Sequence, residues 1–249
     1  MGKISTCFFT IVDDKYFYPI GTHKFINSFK RFHPDIDLII FRQDMIDHVF
    51  KKDGLNFYNC KPTFAKLLTD QYGRVINIDA DYVITGRLTE ILDTDWEVGA
   101  AWNYNQYENT SVENVDEKMF VQAGLVGSTN KEFWDVWERE NKKAMTYKCK
   151  ENDILSLIWY NDPKVKKMKR LIWDKKKGYL GCKSLGQERN MYMENDQLML
   201  NGEPVKAYHH AKGANFPKLD FDTMPFSLEV KEYLNFITTY GKTMRLSTI

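Results

Sequence analysis

From Thr6 to Ile78 the chain alternates short apolar runs with stretches of helical period, and this alternation narrows the possible fold more than any other feature. "TCFFTIV" (6–12), "DLIIF" (37–41) and "RVINI" (74–78) are strand-length runs rich in β-branched or aromatic residues, the pattern of buried strands. "LNFYNC" (55–60) is expected as a further strand. Between them, "GTHKFINSFKRF" (21–32) sets Phe25, Ile26, Phe29 and Phe32 at helical spacing before Pro34 stops it. "MIDHVFKK" reads as a short helix ended by Gly54, and "PTFAKLLTDQY" (62–72) opens with proline at a helix start and closes at Gly73. Strands alternating with helices predict βαβ units and a parallel sheet. The expected class is therefore α/β, with a mostly parallel central sheet flanked by helices.

The second half is less regular. "VGAAW" (98–102) and "MFVQAGLVGS" (119–128) predict strands around a polar loop, 103–118. "NKEFWDVWERENKKAM" (130–145), "ENDILSLIWY" (151–160) and "SLEVKEYLNFITTY" (227–240) predict helices. "QLMLNGEPVKAYHHA" (197–211) predicts two strands joined at Asn201-Gly202. Residues 161–195 carry no clear local signal. A chain of 249 residues without repeats or an obvious linker is expected as a single domain over 1–249.

A formal net charge of +1 gives no global attraction to nucleic acid or to an acidic membrane. Cys7, Cys60, Cys149 and Cys182 are dispersed, without a CxxC pair, which argues against a zinc ribbon or a redox motif and for reduced thiols in a cytoplasmic setting. No segment has the apolar length of a membrane span, and the N-terminus lacks a signal-peptide core.

Open parallel sheets bind ligands beyond the carboxyl ends of their strands. "VINIDADYVITGRL" (75–88) puts Asp79, Ala80 and Asp81 at such an end. If the extended backbone persists through Ala80, both carboxylates point one way. Two like charges at ~4 Å repel by roughly 4 kcal/mol at an effective dielectric of 20, so a proton, a cation or a divalent metal must offset them. Hard oxygens suit Mg²⁺ or Mn²⁺. The same residues can equally cap a turn or a helix. "AYHHAKG" (207–213) offers His209 and His210 at the end of a strand as further ligands, one expected to face the core and one the surface. His23, His33 and His48 are expected as structural or exposed residues.

The order and spacing of these pieces resemble the GT-A fold glycosyltransferases, most of all the family 8 type that includes glycogenin and lipopolysaccharide galactosyltransferases. The resemblance is scattered over residues 6–216. "IVDDKYFYP" (11–19) resembles the family's uracil- and ribose-binding motif, with Ile11 offering its backbone, Asp13 the base contact, and Lys15 standing where the family has a ribose-binding Asn. Lys66 of "TFAKLL" takes the place of a donor-binding cation. "RVINIDADYVITGRLTEIL" (74–92) matches the family's DxD strand, with Ala80 between the acids. Gln122, Ala123 and Gly124 match a strand with N/Q-A-G, and "ENDILS" (151–156) matches a helix start D-Q-D, with Glu151 for the Asp and Asn152 for the Gln. A second "END" at 194–196 competes for that match without the helical pattern after it. "HAKGANFP" (210–217) keeps the His and Gly of the closing motif as His210 and Gly213, while Phe216 replaces its phosphate-binding Lys and leaves Lys212 or Lys218 to substitute.

The resemblance implies one Rossmann-like GT-A domain, with a nucleotide-binding half (1–100) and an acceptor-binding half with C-terminal closure (101–249). It implies Mn²⁺ or Mg²⁺ held by Asp79, Asp81 and His210, a UDP-sugar donor, and a carbohydrate or other hydroxyl as acceptor. It also implies retention at the anomeric carbon, with Glu151 and Asn152 beside the reacting sugar. An inverting relative would instead use Glu151 or another carboxylate as general base. A metal-dependent nucleotidyltransferase shares the acid pair, but no Gly-rich basic loop follows the first strand. A non-catalytic nucleotide-sugar-binding module would not need the acids and the imidazole to converge.

Overall fold

The computed structural model describes residues 5–13, 20–102, 120–144, 151–180, 190–209 and 226–240. Its centre is a six-stranded sheet in the order β2-β1-β3-β6-β5-β7. These strands are β1 (Thr6–Ile11), β2 (Asp37–Phe41), β3 (Arg74–Ile78), β5 (Val98–Trp102), β6 (Val121–Ser128) and β7 (Arg170–Trp173). β1 pairs in parallel with β2 and β3, and β5 with β7; β6 alone runs against its neighbours. The sheet is thus mostly parallel, as the alternation in the first 80 residues predicts.

Strand periodicity explains how the sheet is covered. Phe9 and Val75 face one side, and Phe8 and Ile76 the other. On the first side lie α2 (Gln43–Asp53), α3 (Lys61–Leu68), α5 (Lys131–Ala144) and α6 (Glu151–Asn161). Phe64, Trp134, Trp137 and Leu155 bury their side chains there. On the second side α1 (Ile20–Phe32) contributes Phe25 and Phe29, joined by Trp96 and Trp173. With both faces covered, every residue of β3 is buried.

β4 (Tyr82–Ile84) leaves the main sheet and pairs with β12 (Ala207–His209), which pairs in turn with β8 (Tyr179–Leu180). β9 (Met191–Glu194), β10 (Gln197–Leu200) and β11 (Glu203–Pro204) form an antiparallel meander. Asn201 and Gly202 both have positive φ, 52° and 85°, which is the turn that the Asn-Gly pair predicts. A third apolar cluster, with Val83, Leu198 and Tyr208, packs under Val230, Leu234 and Ile237 of α8 (Leu228–Tyr240).

Three expectations change. Residues 55–60 form a turn rather than a strand, because Asn56 Oδ1 accepts from the N–H groups of Tyr58 and Asn59 at 3.0 Å each and closes the backbone on itself. The helix opened by Pro62 starts one residue earlier, at Lys61, and ends at Leu68, not at Tyr72. β3 ends at Ile78, and Tyr82 N–H bonds back to Asp79 O at 3.2 Å, so Asp79 and Asp81 lie in a tight turn rather than on an extended strand. The unassigned stretch after 161 resolves into α7 (Pro163–Lys167), β7, a single 3-10 turn (Lys175–Lys177), β8 and β9. α4 (Thr89–Leu92) is one short turn after β4.

Candidate active site

The site lies where β3 ends and β6 passes beside it. β6 stays in register with β3 up to Ile78↔Leu125, and Gly124 O then accepts Asp79 N–H at 2.8 Å. Against β5 the register breaks: Ala100 faces Val126, and Ala101 faces Gln122. Ala123-Gly124-Leu125 is released from that ladder by this bulge, and such irregularities re-aim a strand locally. Gln122, Ala123 and Gly124 thereby flank the acid pair.

The imidazole arrives from the other end of the chain. β12 runs antiparallel to β4, so that His209 stands opposite Tyr82. Its Nε2 lies 2.8 Å from Asp81 Oδ1. One ligand atom from each of Asp79, Asp81 and His209 fits within 4.8 Å of the others. Gly124 makes the closeness possible, since a Cβ there would sit 2.8 Å from His209 Cε1 and 2.9 Å from Asp79 Oδ2. Two carboxylates and an imidazole with their ligand atoms this close suit a divalent cation of the Mg²⁺, Mn²⁺ or Zn²⁺ class.

A buried cation completes the cluster. Lys61, with 3% of its side chain exposed, places Nζ 2.8 Å from Asp79 Oδ1 and 3.0 Å from Glu151 Oε2. Its Nζ also donates to Ala123 O at 3.3 Å. Burial alone would lower the Lys61 pKa, but Asp79 and Glu151 outweigh it and hold the ammonium charged. Burial pushes the Glu151 carboxyl up to about 7, with Lys61 pulling it down and Asp79 pushing it further up. For Asp81, burial raises the pKa, yet His209 prevails and keeps it below the usual carboxylate range. For His209, burial lowers the pKa and Asp81 raises it, with the net shift upward.

Asn77, fully buried on β3, donates to Ala123 O at 2.9 Å. Asn152 Oδ1 accepts Ala123 N–H at 2.7 Å. The two amides hold the N–H and the C=O of one β6 residue, Ala123, and fix the bulged stretch of strand against which the acids sit.

The structure gathers Asp79, Ala80, Asp81, Gln122, Gly124, Glu151 and Asn152 in one place. Ile11 is buried at the end of β1, and Asp13 follows it half-buried. Lys66 lies elsewhere: its ammonium pairs with Asp135 at 2.8 Å and Glu138 at 2.9 Å on α5. The cation at the acids is Lys61. Lys15, His210, Lys212, Gly213 and Lys218 fall outside the described residues. The imidazole among the described residues is His209, the neighbour of the His210 expected from the closing motif. A signal for Lys61 existed. A lysine beside Pro62 at a helix N-terminus opposes the helix dipole, so it needs an anion close by.

No family model matches the chain. No curated protein matches it either. Solved structures do. The galactosyltransferase LgtC, in complex with donor and acceptor sugar analogues, superposes with a TM-score of 0.54 at 14% identity, covering 97% of this chain and 96% of that one. An active-site mutant of LgtC gives 0.55 at 14% identity over the same shares. The likeness spans nearly the whole of both chains, and the fold is that of the GT-A glycosyltransferases. None of the helices among the described residues is long and apolar enough to cross a membrane.

Proposed function

We propose that this chain is a glycosyltransferase that moves a sugar from a UDP-sugar to an acceptor hydroxyl, using a divalent cation held by Asp79, Asp81 and His209. One observation carries the reading. The three ligand atoms lie within 4.8 Å of one another at the carboxyl end of β3, where an open parallel sheet presents its chemistry. The fold shared with LgtC supports it.

A bound Mn²⁺ or Mg²⁺ would supply Lewis-acid neutralisation of the leaving diphosphate. The remaining work belongs to the chain. Lys61 keeps Asp79 and Glu151 apart in charge and fixes the Asp79 oxygen at 2.8 Å. Ile11 and Asp13, at the end of β1, are the proposed contacts to the base, with Lys15 beside the ribose. Lys212, Gly213 and Lys218 are the proposed closure over the phosphates. Glu151, with its carboxyl near 7, can accept or donate a hydrogen bond to a sugar hydroxyl at neutral pH. Asn152 is a carboxamide and a poor nucleophile, and its oxygen already accepts from Ala123 N–H at 2.7 Å. A double displacement therefore lacks its carboxylate at that position, and the proposed course is front-face attack with retention.

The test is a thermal-shift screen of nucleotides with Mn²⁺, followed by UDP-sugar hydrolysis assays. UDP or a UDP-sugar is expected to raise the melting temperature most. Asp79→Ala combined with Asp81→Ala is expected to abolish Mn²⁺-dependent hydrolysis in a protein that still folds. A preference for nucleoside triphosphates, or unchanged hydrolysis in the double variant, overturns the reading.

A further inference from the structure

Gln122 is 3% exposed and sits between two groups of the site. Its Nε2 stands 2.6 Å from His209 Nδ1, and its Oε1 lies 3.2 Å from the Tyr82 hydroxyl. The imidazole is otherwise locked. Tyr82 stacks on it with ring centroids 4.3 Å apart and planes at 6°. Gly124 packs against Cε1, where even a methyl group would collide. These contacts and the two ring-nitrogen hydrogen bonds set the orientation of the ring. Which nitrogen carries its proton is thus decided by the hydrogen bonds at its two ends.

A neutral imidazole has one donor and one acceptor nitrogen. Asp81, as a carboxylate, only accepts, so without a cation Nε2 carries the hydrogen and Nδ1 accepts from the Gln122 NH₂. To give the Nε2 lone pair to a cation, the ring must carry its proton at Nδ1 instead: one N–H is lost at Nε2 and one formed at Nδ1, through water, with no net change. The Nδ1–H then needs an acceptor. Gln122 supplies one if its amide turns over, placing Oε1 at Nδ1 and NH₂ at Tyr82. The tyrosine hydroxyl donates in one arrangement and accepts in the other. The turn therefore loses no hydrogen bond.

We propose that Gln122 is a positioning residue whose carboxamide turns over between His209 and Tyr82, selecting the tautomer in which His209 offers its Nε2 lone pair and so setting how tightly the Asp79–Asp81–His209 cluster holds a divalent cation. This rests on the sugar-transfer reading only through the cation. A purely structural Gln122 would fill two hydrogen bonds and leave cation affinity alone. As a partner of the metal-ligating imidazole it governs that affinity by about 10- to 100-fold.

The experiment measures Mn²⁺ binding to the full chain by calorimetry for the wild type, Gln122→Leu and Gln122→Glu. It also records long-range ¹H–¹⁵N spectra of the histidine rings with and without Zn²⁺. Gln122→Leu is expected to bind Mn²⁺ about 10- to 100-fold more weakly. Gln122→Glu, which can only accept from Nδ1–H, is expected to bind at least as tightly as the wild type. The wild-type His209 ring is expected to show Nε2–H without the ion and Nδ1–H with it, and the Glu variant Nδ1–H in both states, with Nε2–H as well until the ion displaces that proton to water. Should Gln122→Leu fail to fold, the spectra of the wild type and Gln122→Glu decide. Equal Mn²⁺ affinity in wild type and Gln122→Leu, or an unchanged tautomer on adding the ion, overturns the proposal and leaves sugar transfer standing. Normal Mn²⁺ binding with the expected tautomer change but no turnover of any nucleotide sugar overturns the transferase reading and leaves Gln122 in its role.

Discussion

Lys61 Nζ stands 2.8 Å from Asp79 Oδ1, with only 3% of the lysine side chain exposed against 28% of the aspartate. The cation is the buried member of the pair and the acid the accessible one. Lys61 also faces Glu151 at 3.0 Å, so a single ammonium serves two carboxylates from separate elements. Removing it leaves two acids near each other with nothing between them.

Lys61→Met is therefore expected to lower stability by about 3 kcal/mol, the lower end for a broken buried pair, since water still reaches Asp79. Urea denaturation would measure this. A midpoint equal to that of the wild type would show that the acids need no cation from the chain.

Gly124→Ala acts on the site by shape. The new methyl would lie 2.8 Å from His209 Cε1 and 2.9 Å from Asp79 Oδ2, so both ligands must shift. A displacement of about 1 Å at a reacting centre costs on the order of 100-fold in rate. The expected result is a matching fall in Mn²⁺-dependent turnover, together with a loss of about 1–3 kcal/mol in urea denaturation from the overpacked imidazole. Full activity in this variant would mean that the cluster is looser than its packing implies.

His33 makes stability depend on pH. It is fully buried, its Nδ1 donates to Phe29 O at 3.3 Å, and its Nε2 accepts Leu88 N–H at 3.0 Å. Burial lowers its pKa to about 4 from the ordinary 6.5. The unfolded chain therefore binds this proton more readily than the folded one. His33's contribution is complete above pH 6.5 and is lost as pH falls through about 4, by up to about 3 kcal/mol. His33→Gln should remove the dependence. The stability gap between wild type and variant is expected to shrink between pH 7 and pH 5; a constant gap would refute the assignment.

Asp162 caps α7, its Oδ1 accepting from Lys164 N–H at 2.8 Å and Val165 N–H at 3.2 Å. Asp162→Ala is expected to cost about 1 kcal/mol, read from thermal melting. A change below a few tenths would show that Pro163 alone starts the helix.

The strands at 37–41, 74–78 and 98–102 were legible because strands of a covered sheet are built from short apolar runs. Parity was not. Whether His209 or His210 faces the acids depends on which residue stands opposite Tyr82, and it brings His209 to an Asp81 that lies 128 positions away. The motif points to Lys66, whereas the cation at the acids is Lys61, for a similar reason. Five residues along a helix turn a side chain by about 140°, so one lysine reaches Asp79 and the other reaches Asp135 and Glu138. The "LNFYNC" run has strand composition, but the Asn56 side chain competes for its backbone. β8, two residues long, exists only because β12 lies beside it and has no signature of its own.

The β4–β12 ladder also sets a timetable. During synthesis both acids and the lysine leave the ribosome long before the strand that carries His209, so a half-made chain can pair β1 with β2 and β3 and still lack the imidazole. The Asp79–Asp81–His209 cluster is thereby incomplete until the late strand docks against β4.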